Sequence, residues 1–239
     1  MAHLYFYRLS SHKKISRPDR ISILVKEMSA GAFAFPWGWA IYRTVYTPES
    51  DQLWPRAMDT INTYLAYSLR EFLMDSGAEE RYEPIAAVLE NFWMDDPSQF
   101  DRATFADLRT HFASWLRTQN TDDEDGFKVL PKVRFRTFLV VDQAVLHMLA
   151  SAPDPNDEEA DPSAVRAVMI KVVSAQRDER RLPGSTRRGP HNNEDGKIFP
   201  GWVNCRMVEL RELWEKLSEY RFLYKICPRD FEDEPLWEP

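Results

Sequence analysis

The stretch from Pro36 to Trp54, PWGWAIYRTVYTPESDQLW, decides the fold, because in it a strand hands over to a helix. Along Trp39-Ala40-Ile41-Tyr42-Arg43-Thr44-Val45-Tyr46 successive side chains must alternate between two faces. Trp39, Ile41, Arg43 and Val45 share one face, and Ala40, Tyr42, Thr44 and Tyr46 the other. Arg43 therefore stands among apolar neighbours on the face expected to be buried. A guanidinium keeps its proton, so burial there demands a carboxylate or an anionic ligand. Asp51 and Asp142 are the carboxylates the sequence offers as partners for an internal pair. If no carboxylate takes it, Arg43 either presents its charge to a ligand beside Trp39, Tyr42 and Tyr46 or is simply exposed at a sheet edge.

Pro48, Glu49, Ser50 and Asp51 read as a turn, with Ser50 and Asp51 as N-cap candidates. Pro55 fits only near a first turn, so a helix is expected to start close to it. Trp54, Met58, Ile61, Leu65, Leu69 and Phe72 then recur at three-four spacing and form one apolar stripe that ends before Gly77. A second helix is expected from Pro84, with Ile85, Val88, Leu89 and Phe92 on one face, stopped at Asp95-Asp96-Pro97. Thr104 and Asp107 resemble a capping box that opens a third, with Phe105, Leu108, Phe112, Trp115 and Leu116 inward.

Strands are expected over 133–141 and 165–173, the first turning continuously apolar as it enters a core. Asp142 stands at a strand-to-helix junction and reads as the N-cap of a short helix. A last helix follows from about 206 to 225. This order is α+β, and a ferredoxin-like or related sheet-plus-helices sandwich with a helical insertion fits it. The expected organisation is a basic N-terminal extension (1–35), one domain (36–227) with its helical insert at about 84–118, and an acidic tail (228–239). The loops 152–162 and 177–198 hold little apolar material with which to offset ordering entropy, and are expected to be mobile.

The blocks GWAIYRTVYTPESDQLW, LRTHFASWL, FRTFLVVD and GWV resemble a family of uncharacterised soluble proteins of filamentous fungi, marked by a GWxIYRTxY strand motif. The resemblance implies a soluble intracellular protein with this motif order and transfers no activity.

Composition narrows the function classes. The 239 residues suffice for one sizeable core, and 44% hydrophobic with 29% charged residues is a globular balance. No apolar run reaches the roughly 18 residues that cross a bilayer. Two cysteines, Cys205 and Cys227, fit a reducing cytoplasm better than a disulfide framework. A net charge of −7 disfavours nucleic acid as the general partner, and the arginines of 177–188 are diluted by acidic neighbours.

Eight Trp and nine Tyr are unusual, and suit either a Trp-rich core or the wall of a pocket. The five histidines lack metal-ligand spacing, and Gly184 to His191 places Pro190 and His191 where a phosphate loop needs Lys and Ser/Thr. No metal and no cofactor is therefore expected. His111 lies off the apolar stripe of its helix and is expected to face solvent. The leading expectation is a cytoplasmic domain binding a small organic ligand or peptide in an aromatic-lined concavity. Arg43, Tyr42, Tyr46, Trp39 and Asp142 are its candidate ligand groups. The alternatives are a cofactor-independent isomerase, cyclase or hydrolase of specialised metabolism, and a protein-interaction scaffold.

Overall fold

A computed structural model describes residues 37–119, 136–175, 201–220 and 223. The N-terminal extension, the loop at 177–198 and the acidic tail lie outside these residues. Five strands, β1 (Ala40–Arg43), β2 (Phe92–Met94), β3 (Thr137–Val141), β4 (Met169–Ser174) and β5 (Trp202–Arg206), form one sheet in the order β2-β1-β3-β4-β5. β2, β1 and β3 run parallel, while β4 is antiparallel to both its neighbours. The helices are α1 (Pro48–Ser76), α2 (Tyr82–Ala86), α3 (Pro97–Phe100), α4 (Phe105–Thr118), α5 (Gln143–Ala150), α6 (Pro162–Ala167) and α7 (Leu210–Tyr220). The α+β expectation holds. The finer ferredoxin-like arrangement is compatible with this sheet without being established by it.

Alternation in the strands divides the core in two. Trp39, Ile41, Leu139, Val141, Ile170, Val172 and Cys205 pack against α1, α5 and α7. Ala40, Tyr42, Phe138, Val140 and Val173 pack against Phe100 of α3 and Leu108 and Phe112 of α4. Both sheet faces are thus covered, as parallel strands require. Most of the described aromatics serve these cores: Trp37 meets Trp214 edge-on on the α1 side, and Phe112 leans on Phe138 on the α4 side.

Helix α1 begins earlier than Pro55 suggested. Thr47 is its N-cap, Pro48 takes the first turn, and Thr47 and Ser50 satisfy each other's backbone N–H groups reciprocally. Pro55 lies inside the helix, where its missing N–H releases the carbonyl of the exposed Asp51 to water. Gly77 closes the helix at φ 65° in the left-handed region. Gly38, in the strand motif, is a glycine for a different reason. Its φ is 136°, and a Cβ there would lie 2.2 Å from the Glu90 carbonyl oxygen.

Three further differences have local causes. Phe92 belongs to β2 and not to a helix, because Trp39 takes its N–H in parallel pairing. The first three residues of 165–173 are helical, since Asp161 caps Ser163 and Pro162 fits the first turn of α6. Residues 152–162, expected to be mobile or weakly packed, are anchored near their start, while Asp154, 156–159, Asp161 and Pro162 are exposed. The Tyr64 hydroxyl donates to the Pro153 carbonyl at 3.0 Å, Arg70 reaches Asn156, and Ala152 and Pro155 are buried.

Candidate functional site

The carboxyl ends of β1 and β2 are where connections diverge to opposite faces, β1 feeding α1 and β2 feeding α3 and α4. Such a divergence opens a crevice in open α/β sheets. Arg43 fills this one. It is 4% exposed, and every group of its guanidinium has a partner. Nε donates to the Val45 carbonyl at 2.9 Å, Nη2 to Ser50 Oγ at 3.0 Å and to Asp51, and Nη1 to Asp95 at 3.4 Å. The fork also stacks on Tyr46 and Trp54, at 4.4 and 5.3 Å from the ring centroids. Arg43 is an internal ion pair. Of the two carboxylates read as its partners, Asp51 serves and Asp142 does not.

The other four sequence candidates separate. Trp39 is buried beneath α1, and its Nε1 has no hydrogen-bond partner among the described residues. Tyr46 donates its hydroxyl to the Arg43 carbonyl at 3.1 Å. Burial, with Asp95 nearby, pushes its phenol well above the ordinary tyrosine range. Tyr42 points to the α4 side. Asp142 caps α5, accepting from Val145 N–H at 3.0 Å, and its second oxygen binds Lys171 Nζ.

Strand register then assembles what the sequence had left apart. Met94, Tyr42, Val140, Lys171 and Asn204 stand in one row across all five strands. Paired residues share a face, so all five project toward α4. Tyr42 and Lys171 are two strand spacings apart, about 10 Å. On the β1 side of Val140 the Tyr42 hydroxyl lies 2.9 Å from His111 Nδ1. On the β4 side the Lys171 ammonium meets Asp142 and sits 5.6 Å from the Trp202 ring centroid. Buried Val140 separates the two pairs.

His111, expected to face solvent, is half-buried instead. Its ring meets Tyr42 and Phe100 edge-on, at 5.7 and 4.8 Å between centroids. Burial lowers its pKa below the usual histidine range, partly offset by Asp96. Burial raises the Tyr42 phenol far above the tyrosine range. Nδ1 is the partner of the Tyr42 hydroxyl among the described residues; where the phenol donates, the neutral imidazole carries its proton on Nε2.

Period two in Met169-Ile170-Lys171-Val172-Val173 was the signal that could have singled out Lys171, since it breaks an apolar run on the face opposite Ile170. Among the described residues no group of three or more His, Cys, Asp or Glu side chains is placed to hold a metal, and no helix is long and apolar enough to cross a membrane. No family model, curated protein or solved structure matches the chain.

Proposed function

We propose that the protein binds a small organic ligand along the Tyr42–Val140–Lys171 row, on the α4 side of the sheet. One observation carries the reading. Tyr42, paired with His111, and Lys171, paired with Asp142, stand on strands whose backbones are about 10 Å apart with Val140 between them, a spacing that suits a small molecule held at both ends. Lys171 is 21% exposed at its side chain, so its ammonium is within reach of a carbonyl or anionic group. Trp202 offers an aromatic wall beside it. The cytoplasm is the compartment this reading assigns.

A second reading, a cofactor-independent enzyme, is favoured by the Tyr42–His111 pair. A neutral imidazole whose Nδ1 is held by a phenol keeps a proton on Nε2 for transfer near neutral pH. Arg43 has no part in either reading, because its donors are taken up by Val45, Ser50, Asp51 and Asp95.

A thermal-shift screen of the purified protein against a fractionated aqueous metabolite extract tests the proposal. A stabilising fraction should lose its effect on Lys171→Met and keep it on Lys216→Ala, a change remote from the row. Equal stabilisation of Lys171→Met and the parent protein would remove the row as the binding site.

A further inference from the structure

In this structure nothing reaches the Tyr42 hydroxyl from solvent: Tyr42 is fully buried, and the ring of Phe100, 3% exposed, lies 5.2 Å from it between centroids. Phe100 belongs to a short segment that leaves β2, crosses the carboxyl end of β1 and enters α4. We propose, resting on the ligand site assigned above, that residues 95–102 are a strap that closes over the Tyr42–His111 pair, latched by Asp95 and hinged at Arg102.

The segment has the build of a body that moves as a unit. Most of its hydrogen bonds are internal. Asp96 accepts from Ser98 N–H, Ser98 Oγ and Gln99, and the N–H groups of Gln99 and Phe100 return to the Asp96 carbonyl. The Asp101 N–H closes the turn on the Pro97 carbonyl. These bonds survive displacement of the whole unit.

Its ties to the rest of the molecule gather toward the two ends, where the Asp96 backbone also meets the Tyr46 hydroxyl and the Ala103 N–H donates to the Phe100 carbonyl at 3.1 Å. Asp95 meets Arg43 Nη1 at 3.4 Å, long for a charge-assisted bond, and lies beside the Tyr46 hydroxyl. Arg102 N–H donates to the Thr44 carbonyl at 3.0 Å. Between them Phe100 is the single buried side chain of α3. Arg102 has φ 54°, the one non-glycine residue with positive φ among those described. A left-handed arginine is disfavoured, and lifting the strap relieves it. Such strain collects in hinges and switches.

The latch links the sequence's most conspicuous residue to the site it does not enter. Arg43 and Tyr42 are adjacent on β1 and face opposite ways, so Asp95 on Arg43 and Phe100 on Tyr42 pin one segment to both faces of one strand.

The test needs no ligand. Full-length protein is treated briefly with diethyl pyrocarbonate, and modification of His111 is compared by peptide mass spectrometry with that of exposed His147 as internal reference. Asp95→Ala should speed His111 modification several-fold, and Arg102→Gly, which removes the hinge strain, should slow it. His147 should be unaffected in both. Hydrogen exchange at the core amide of Leu139 is followed alongside. Acceleration at His111 with Leu139 unchanged is the expected result. Unchanged His111 rates in both variants, or acceleration at His111 matched at Leu139, would overturn the strap, the second by showing global unfolding instead. Because neither readout uses a ligand, failure of the strap and failure of the binding site are told apart.

Discussion

Arg43 and Asp95, 52 positions apart in the chain, meet with Nη1 3.4 Å from Oδ1 at the carboxyl ends of two adjacent parallel strands. Asp51, at the head of α1, takes the other side of the same guanidinium. One buried cation thus joins the end of β1, the start of α1 and the exit of β2.

Removing that cation should destabilise the fold more than removing either anion. Asp51 and Asp95 are 64% and 32% exposed at their side chains and can be rehydrated, whereas Ser50 Oγ loses a buried donor. Arg43→Met is expected to cost about 3 kcal/mol, the lower end for breaking a buried pair, and Asp51→Asn about 1 kcal/mol or less. Urea unfolding of the two variants checks the ranking.

The two tryptophans of the strand motif should respond differently to loss of the indole N–H. Trp37 Nε1 donates to the Ile85 carbonyl at 2.9 Å, while Trp39 Nε1 has no partner among the described residues. Both changes to Phe create some empty volume. Trp37→Phe also leaves a carbonyl bare, and should be worse than Trp39→Phe by about 1–2 kcal/mol in matched denaturant melts.

Gly38→Ala should be among the most damaging small changes in the chain. The added Cβ meets backbone at 2.2 Å, which no side-chain rotation relieves, and φ of 136° is itself strained for alanine. A loss of about 3 kcal/mol or more is expected, or failure to accumulate as soluble protein.

The pH dependence of stability should carry the mark of His111. Its folded pKa is lowered by burial, so between that value and about 6.5 the unfolded chain binds more protons than the folded one. Stability from this group is therefore fully present above about pH 6.5 and is lost as pH falls through that window. Glu209, raised by burial, acts with the opposite sign just above the ordinary glutamate range. The informative quantity is the difference between parent and His111→Gln, whose curve should be flatter below about pH 6.5.

Much of the architecture was legible because it rests on periodicity. The three-four stripe of Trp54 to Phe72 and the alternation of Trp39 to Tyr46 gave α1 and β1, and Thr104 with Asp107 gave the start of α4. Short elements were not legible. The three residues of β2 become a strand only when Trp39 and Ile41 are beside them, and β5 likewise needs β4. Arg43 was recognisable as anomalous, and Asp51 as a partner, but Asp95 was masked by its role in a helix-stopping Asp-Asp-Pro. The Tyr42–Lys171 row depends on register between strands far apart in sequence, which no local pattern encodes.

The most direct test of the proposed site is a nitrogen-detected titration of the histidine rings and the lysine and arginine side chains with a stabilising metabolite fraction. His111 and Lys171 signals are expected to move together and saturably while the Arg43 Nε signal stays in place. Movement of Arg43 with His111 and Lys171 unmoved would contradict this, and would return the binding site to the crevice between β1 and β2.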